Sequence, residues 1–368
     1  MSSGFMLYGS TGYSGNLIAR LAVERGLRPI LAGRNPGKVE KQAHELGLDF
    51  RIFDLNDAAI IERALLEVGT VLNCAGPFIY TAKSLVEACL EVATNYLDIS
   101  GEISVFEMLA GHGESAVARG ITVLPGVGTE IVATDCLAAH LKRRLPSANR
   151  LTLAWGASGP ASFSRGSSLT MVEHSDLGGR VRRGGRLETI PAGWKSRMID
   201  LGHGQVKATT FPWPDVFSAF YSTQIPNIEV YYRGSKEMAR MIMAERYLRP
   251  ILSLARAKAL LRRGVRTQPI GPTDEERART RTLVWGEVRD DHGQTAVSRL
   301  EGPQGYTWTA LTAVHTLQKM LEGLAPTGFQ TPSLAFGADF VLECGGSARN
   351  DAPTCANSNG SARRSKKS

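Results

Sequence analysis

Leu7-Tyr8-Gly9-Ser10-Thr11-Gly12-Tyr13-Ser14-Gly15 follows the apolar run Phe5 to Tyr8 and opens a segment, Asn16 to Arg25, whose apolar residues recur at helical spacing. A strand, a glycine loop and a helix in that order make the phosphate-binding turn of a dinucleotide fold. Gly9 permits the tight turn. Gly12 lets backbone N–H groups approach a pyrophosphate without a Cβ clash, and Gly15 lets helix and strand close on each other. The helix N-terminus then faces the anion. The spacing is GxxGxxG rather than GxGxxG, so the flanking strand and helix carry as much of the argument as the glycines. Ser10, Thr11, Tyr13 and Ser14 join Gly9, Gly12 and Gly15 as expected cofactor contacts. The competing reading is a glycine turn with no ligand.

Outward from this loop, short apolar runs (Arg28 to Ala32, Phe50 to Phe53, Thr70 to Ala75, Tyr96 to Ile99, Ile121 to Leu124) alternate with helical patterns as far as residue 150. Such alternation calls for a parallel sheet wound on both faces, a Rossmann-type α/β domain over residues 1–150. From Leu151 the texture changes to short strands rich in Gly, Ser, Pro and Trp. Leu283 to Arg289 and Ala296 to Glu301 flank Asp290-Asp291-His292-Gly293 as a hairpin. The expectation is a second α+β domain over 151–343 with a largely antiparallel sheet, its helix Thr309 to Leu321 returning to the first domain. Residues 344–368 are small, polar and basic without periodicity, which predicts a disordered tail.

The second strand ends Leu31-Ala32-Gly33-Arg34, where an NAD enzyme would carry an acidic residue for the ribose 2′-OH. A guanidinium there can pair with a 2′-phosphate, with Lys38 one helical turn on, so NADP is expected. A solvated surface arginine is the plainer alternative. Asp54 falls near the adenine, and serves equally well as a loop carboxylate. Ala75-Gly76-Pro77, after the fourth strand, lies where backbone approaches the nicotinamide ribose, and Asp98-Ile99-Ser100-Gly101-Glu102 follows the fifth strand.

Tyr8 to Gly15, Leu31 to Arg34, Asn73-Cys74-Ala75-Gly76-Pro77-Phe78 and Tyr96 to Glu102 together resemble the NADP-binding domain of saccharopine dehydrogenase-like oxidoreductases, a group that includes trans-acting enoyl reductases. The resemblance continues through Gly271-Pro272-Thr273-Asp274, Val284-Trp285-Gly286-Glu287, Gly305-Tyr306-Thr307-Trp308 and Gly328-Phe329-Gln330. It implies the fold, the cofactor and hydride transfer to a C=C, C=O or C=N bond of a small or acyl substrate, without saying which. The rival from another class is a dinucleotide-binding sensor or membrane-surface scaffold without turnover. Tyr80 and Glu102 are the candidate catalytic groups, because both follow strand ends expected at the nicotinamide; a packed tyrosine and a capping glutamate are the alternatives. The histidines have no ligand spacing, so no metal is expected. Ser164-Arg165-Gly166-Ser167-Ser168 with the two Gly-Gly-Arg repeats at 178–186 suggests a flexible wall over the cofactor.

Net charge is +8, but it is not spread evenly. Residues 236–266 carry nine basic residues against Glu237 and Glu245, and 349–368 carry five against Asp351, which leaves the body slightly acidic. That excludes a general nucleic-acid binder. In 236–266, Met241, Leu248, Leu252, Ala255 and Ala259 fall on one helical face and Arg249, Arg256 and Arg263 on another, with Pro250 placed to start a second helix. This reads as a solvated face over a buried stripe, or as a peripheral membrane contact. The five cysteines are scattered and read as reduced thiols. No segment has the length of a membrane span or the form of a signal peptide, so a cytoplasmic location is expected, with a homodimer among the partner arrangements.

Overall fold

The computed structural model describes residues 4–159, 162–234 and 236–356. Six parallel strands form the first sheet: β1 (Phe5–Tyr8), β2 (Ile30–Gly33), β3 (Phe50–Ile52), β4 (Thr70–Asn73), β5 (Asn95–Asp98) and β6 (Thr122–Leu124), with Gly328–Phe329 added beside β6. The order β6-β5-β4-β1-β2-β3 reverses between β1 and β4, so the loops leaving those two strands diverge at the sheet's carboxyl edge. Ligands bind at such a switch point. Helices α1 (Tyr13–Glu24), α2 (Pro36–Leu46), α3 (Ala58–Leu65), α4 (Ala82–Val92), α5 (Ile103–Ala110) and α6 (Gly113–Arg119) make the crossovers. Their ends are written locally. Asn35 and Asp57 cap α2 and α3 with their side chains, and α2 stops at Gly47 in the left-handed conformation.

After α7 (Thr129–Arg144), the chain builds a second, mostly antiparallel sheet from β7 (Arg150–Ala157), β8 (Gly179–Arg183), β9 (Arg186–Ile190), β10 (Ser196–Asp200), β11 (Gln205–Thr210), β12 (Asn227–Arg233), β13 (Arg281–Arg289) and β14 (Gln294–Pro303). Among the described residues its one parallel pairing is β12 with β7. The helices here are α8 (Arg165–Glu173), α9 (Asp215–Thr223), α10 (Lys236–Leu252), α11 (Ala255–Arg266), α12 (Asp274–Arg279) and α13 (Gly305–Leu321). The last of these returns to the first sheet, where Ala310, Ala313, Val314 and Leu317 join Ile18, Ala22 and Leu31 in one core. The hairpin at Asp290–Gly293 forms as the sequence predicts, with Gly293 at φ +79°.

Three expectations need correction. The predicted flexible wall is ordered: Ser164 caps α8, and the glycine repeats form the β8–β9 hairpin, turning at Gly184-Gly185 with positive φ. The tail is not disordered throughout, since Ala348–Asp351 and Cys355–Ala356 pair with β14; residues 357–368 lie outside the described part. An open sheet edge supplies the backbone partners, and Asp351 meets His140 at 3.0 Å and Arg144 at 3.5 Å, contacts invisible to a local reading. Pro250 lies inside α10 rather than at a helix start, with the helix ending two residues later.

Candidate active site

The glycine loop is shaped by close approach of backbones. A Cβ on Gly9 (φ +79°) would stand 2.7 Å from the Ala75 nitrogen, and one on Gly15 would stand 2.5 Å from the Gly9 oxygen. Gly12 differs: its nearest neighbour would be the Gly9 oxygen at 3.3 Å, and the residue is exposed. Gly9 and Gly15 therefore hold the turn together, while Gly12 keeps its outer side clear. No side chain caps α1, which leaves its first-turn N–H groups for an anion. The buried Ser10 hydroxyl has no partner among the described residues, while the Ser10 carbonyl is held by Gln42 Nε2 at 3.0 Å. An uncapped helix end, an open glycine and an orphaned hydroxyl fit a dinucleotide pyrophosphate.

Arg34 is exposed at the end of β2, with no hydrogen bond or ion pair among the described residues. Burial pushes the Tyr8 phenol up to about 12, with smaller opposing effects from the charges of Arg34 and Asp54. Asp54 turns its own loop, accepting from the Asn56 N–H at 2.9 Å. Arg34→Ala is expected to weaken NADPH binding by about 1.5–3 kcal/mol, the range for a hydrogen bond to a charged group, and to leave NADH nearly unchanged. Calorimetric titration with both cofactors checks this, and equal losses would remove Arg34 from the 2′-phosphate.

Tyr13 is occupied elsewhere. Its hydroxyl bonds to the Pro272 carbonyl and accepts from Arg277 at 2.7 Å, and its ring meets Tyr306 edge-on at 5.0 Å. Its side chain thus clamps the 271–277 loop onto the glycine loop, leaving only its backbone, like that of Thr11 and Ser14, free to face a phosphate.

The two candidate catalytic groups also have structural work. Glu102 is fully buried, its carboxylate accepting from the Phe78 N–H at 2.7 Å and the Ile79 N–H at 2.9 Å. It caps the single turn Phe78–Tyr80 that follows Ala75-Gly76-Pro77, and burial pushes it up to about 7. Tyr80 is 60% exposed and donates to Glu173 at 2.9 Å, a carboxylate also gripped by Arg262 at 2.6 and 2.7 Å. Glu102→Ala should lower stability by roughly 2 kcal/mol, because the buried Phe78 N–H and the part-buried Ile79 N–H lose their acceptor. Unchanged denaturant unfolding would show the cap to be dispensable.

The residue that sequence reasoning missed is Glu130. It stands in the first turn of α7, just beyond β6, and lines a cleft formed mainly by α7, the second sheet and the start of α13. Trp155, Tyr232 and Val284 form the apolar wall, with Thr282, Tyr306 and Thr309 among its polar groups. The Glu130 carboxylate has no hydrogen-bond or ion-pair partner among the described residues. The side chain is exposed to the cleft, and desolvation by the surrounding protein pushes the carboxyl up to about 7. One carboxylate oxygen lies so near Gly101 that a Cβ there would come within 3.1 Å. Tyr306 is held by the Ser164 N–H at 2.6 Å and the Ser167 hydroxyl at 2.9 Å. The only sequence signal for Glu130 was a glycine-rich turn, Gly126-Val127-Gly128, opening a helix at the carboxyl edge.

Residues 5–124 match the profile of the saccharopine dehydrogenase NADP binding domain. The match covers the first sheet and supports NADP as the cofactor it holds. The saccharopine dehydrogenase-like oxidoreductase of Mus musculus is 27% identical over 150 residues, covering 35% of each protein. The trans-acting enoyl reductase of Mycobacterium leprae is 30% identical over 148 residues, covering 38% of this chain and 35% of the relative. The alignments with these relatives thus span about a third of their length. A longer alignment, 274 residues at 24% identity, joins 66% of this chain to 63% of the lipid droplet localized protein of Caenorhabditis elegans. In fold, the chain is similar to apo saccharopine dehydrogenase (L-Glu forming) of Saccharomyces cerevisiae, with TM-score 0.61 and 12% identity, over 95% of this chain and all of that one.

Proposed function

We propose that the protein is an NADP(H)-dependent oxidoreductase that reduces a C=C, C=O or C=N bond in the cleft, with Glu130 as its proton donor. The observation that carries this is a carboxyl exposed to a cleft beside the carboxyl edge of an NADP-binding sheet, unpartnered among the described residues and pushed up to about 7 by desolvation. When bound, the nicotinamide supplies a hydride. Gly9, Ser10, Thr11, Gly12, Tyr13, Ser14 and Gly15 hold the pyrophosphate, Arg34 the 2′-phosphate with Asp54 beside it, and Ala75, Gly76 and Pro77 border the ribose.

Reduction then needs one proton for the atom that becomes negative as hydride reaches its neighbour. Glu130 donates it as a neutral carboxylic acid and is left as carboxylate, to be reprotonated from solvent. A carboxyl with a pKa near operating pH suits this task. Glu102, committed to two backbone donors, and Tyr80, bonded to the buried Glu173, position the loop after β4 rather than move protons. The apolar wall of Trp155, Tyr232 and Val284 suits an acyl substrate.

The test is deuteride transfer from 4-deuterated NADPH to a panel of enoyl, carbonyl and imine acceptors, read by mass spectrometry of the products. Deuterium in one acceptor class identifies the bond reduced. NADPH that binds tightly yet labels nothing across the panel would overturn turnover and favour a dinucleotide-loaded sensor.

A further inference from the structure

Away from the cleft, α10 and α11 present a surface that an ordinary solvated helix pair does not. Residues 246–273 contain seven basic residues and no acidic one. Among them Tyr247, Leu248, Ile251, Leu254, Leu260 and Leu261 are exposed, Tyr247 at 77% and Leu260 at 71%. The stripe expected to be buried is not: Leu248, Ala255 and Ala259 are all exposed, and the side chain of Met241 lies outside the described residues.

The polarity of α11 is reversed relative to the body it covers. A surface helix normally turns its apolar stripe inward and its charges outward. Here Lys258 donates to the Glu173 carbonyl at 2.8 Å and to Asp176 at 2.7 Å, and Arg262 forks onto Glu173. These charges, with Val265, form the inner face. At 100° per residue, Leu254, Leu261 and Leu260 follow to one side of it, and Arg256 and Arg263 lie beyond them. Leucines flanked by arginines with no ion-pair partner among the described residues are left facing out.

We infer that the α10–α11 hairpin docks on an anionic lipid surface. Its exposed leucines enter the boundary between headgroups and acyl chains, while Arg256, Arg263 and Arg266 lie against lipid phosphates. Charge complementarity selects this occupant: a protein groove would have to supply acidic groups in register, whereas an anionic bilayer meets cations at any position. Among the described residues no helix is long and apolar enough to cross a membrane, so the contact is interfacial. It also lies beside the cleft. Arg165, the first residue of α8, links its N–H to the Ile270 carbonyl, and the neighbouring Ser164 and Ser167 hold Tyr306 in the cleft wall.

The inference does not depend on hydride transfer, and its test keeps the two apart. The full chain is floated with phosphatidylcholine vesicles with and without phosphatidylserine, and NADPH affinity is titrated in parallel. Binding is expected only to the anionic vesicles and should fall as salt is raised. Leu254→Ser with Leu260→Ser and Leu261→Ser, or Arg256→Gln with Arg263→Gln and Arg266→Gln, should each lower partitioning at least about tenfold while leaving NADPH affinity intact. Absence of binding at low salt would overturn the proposal. So would binding unchanged by both sets, which would assign it to the basic residues of 357–368. As a check that needs no loss of function, Leu260→Trp should gain fluorescence quenched by brominated lipid, and an unquenched tryptophan on vesicle-bound protein would also overturn it.

Discussion

Glu130→Gln is expected to lower turnover by about 10²–10⁴-fold, the usual contribution of a positioned general acid, while NADPH binding stays the same. The amide keeps the shape of the carboxyl but cannot give up its proton. In the wild type, reduction requires the protonated acid, so kcat/KM should fall as pH rises through about 7, and this limb should vanish in the variant. Stability should move the other way. A carboxyl held at about 7 in the folded protein and near 4.3 unfolded favours folding most below the unfolded value. That contribution is lost between the two values and stays lost above 7. At pH 8 the wild type therefore carries an unfavourable charge that glutamine lacks. Because the group faces an open cleft, solvent screening reduces the gain to on the order of 1 kcal/mol, or about 2 °C in Tm. Lost activity with raised stability would mark a residue kept for chemistry. A variant with unaltered turnover and pH profile would return the proton donor to an unknown group.

Gly12→Val should weaken NADPH at least about 100-fold, equivalent to about 3 kcal/mol, with the chain still folded. The branched side chain would occupy the open side of the loop, where the pyrophosphate must approach. Gly15→Val is the contrast. Its Cβ would sit 2.5 Å from the Gly9 oxygen, inside the protein rather than in the ligand's space. That variant should unfold more easily, by roughly 1–3 kcal/mol as overpacking does, and lose cofactor as a consequence. Calorimetric titration and urea unfolding on both proteins separate the cases. Equal destabilisation of the two variants would show that Gly12 too is a packing residue.

Local chemistry accounts for what the sequence determined by itself. The strand, glycine loop and helix at Phe5–Glu24, the arginine ending β2 and the strict alternation to residue 124 specify a parallel dinucleotide sheet, since each is set by neighbours a few residues apart. The β13–β14 hairpin was legible for the same reason: its turn chemistry is contained in four residues. What required the tertiary structure depended on partners far along the chain. Glu102 is a cap because Phe78 and Ile79 fold back onto it, and Tyr13 is a clamp because Pro272 and Arg277 arrive beside it. Residues 348–351 become a strand because β14 offers them an edge. Glu130 looks in sequence like any acidic residue opening a helix. Only the tertiary structure sets it in a cleft beside Trp155 and Tyr232, where desolvation by the surrounding protein pushes its carboxyl towards neutrality.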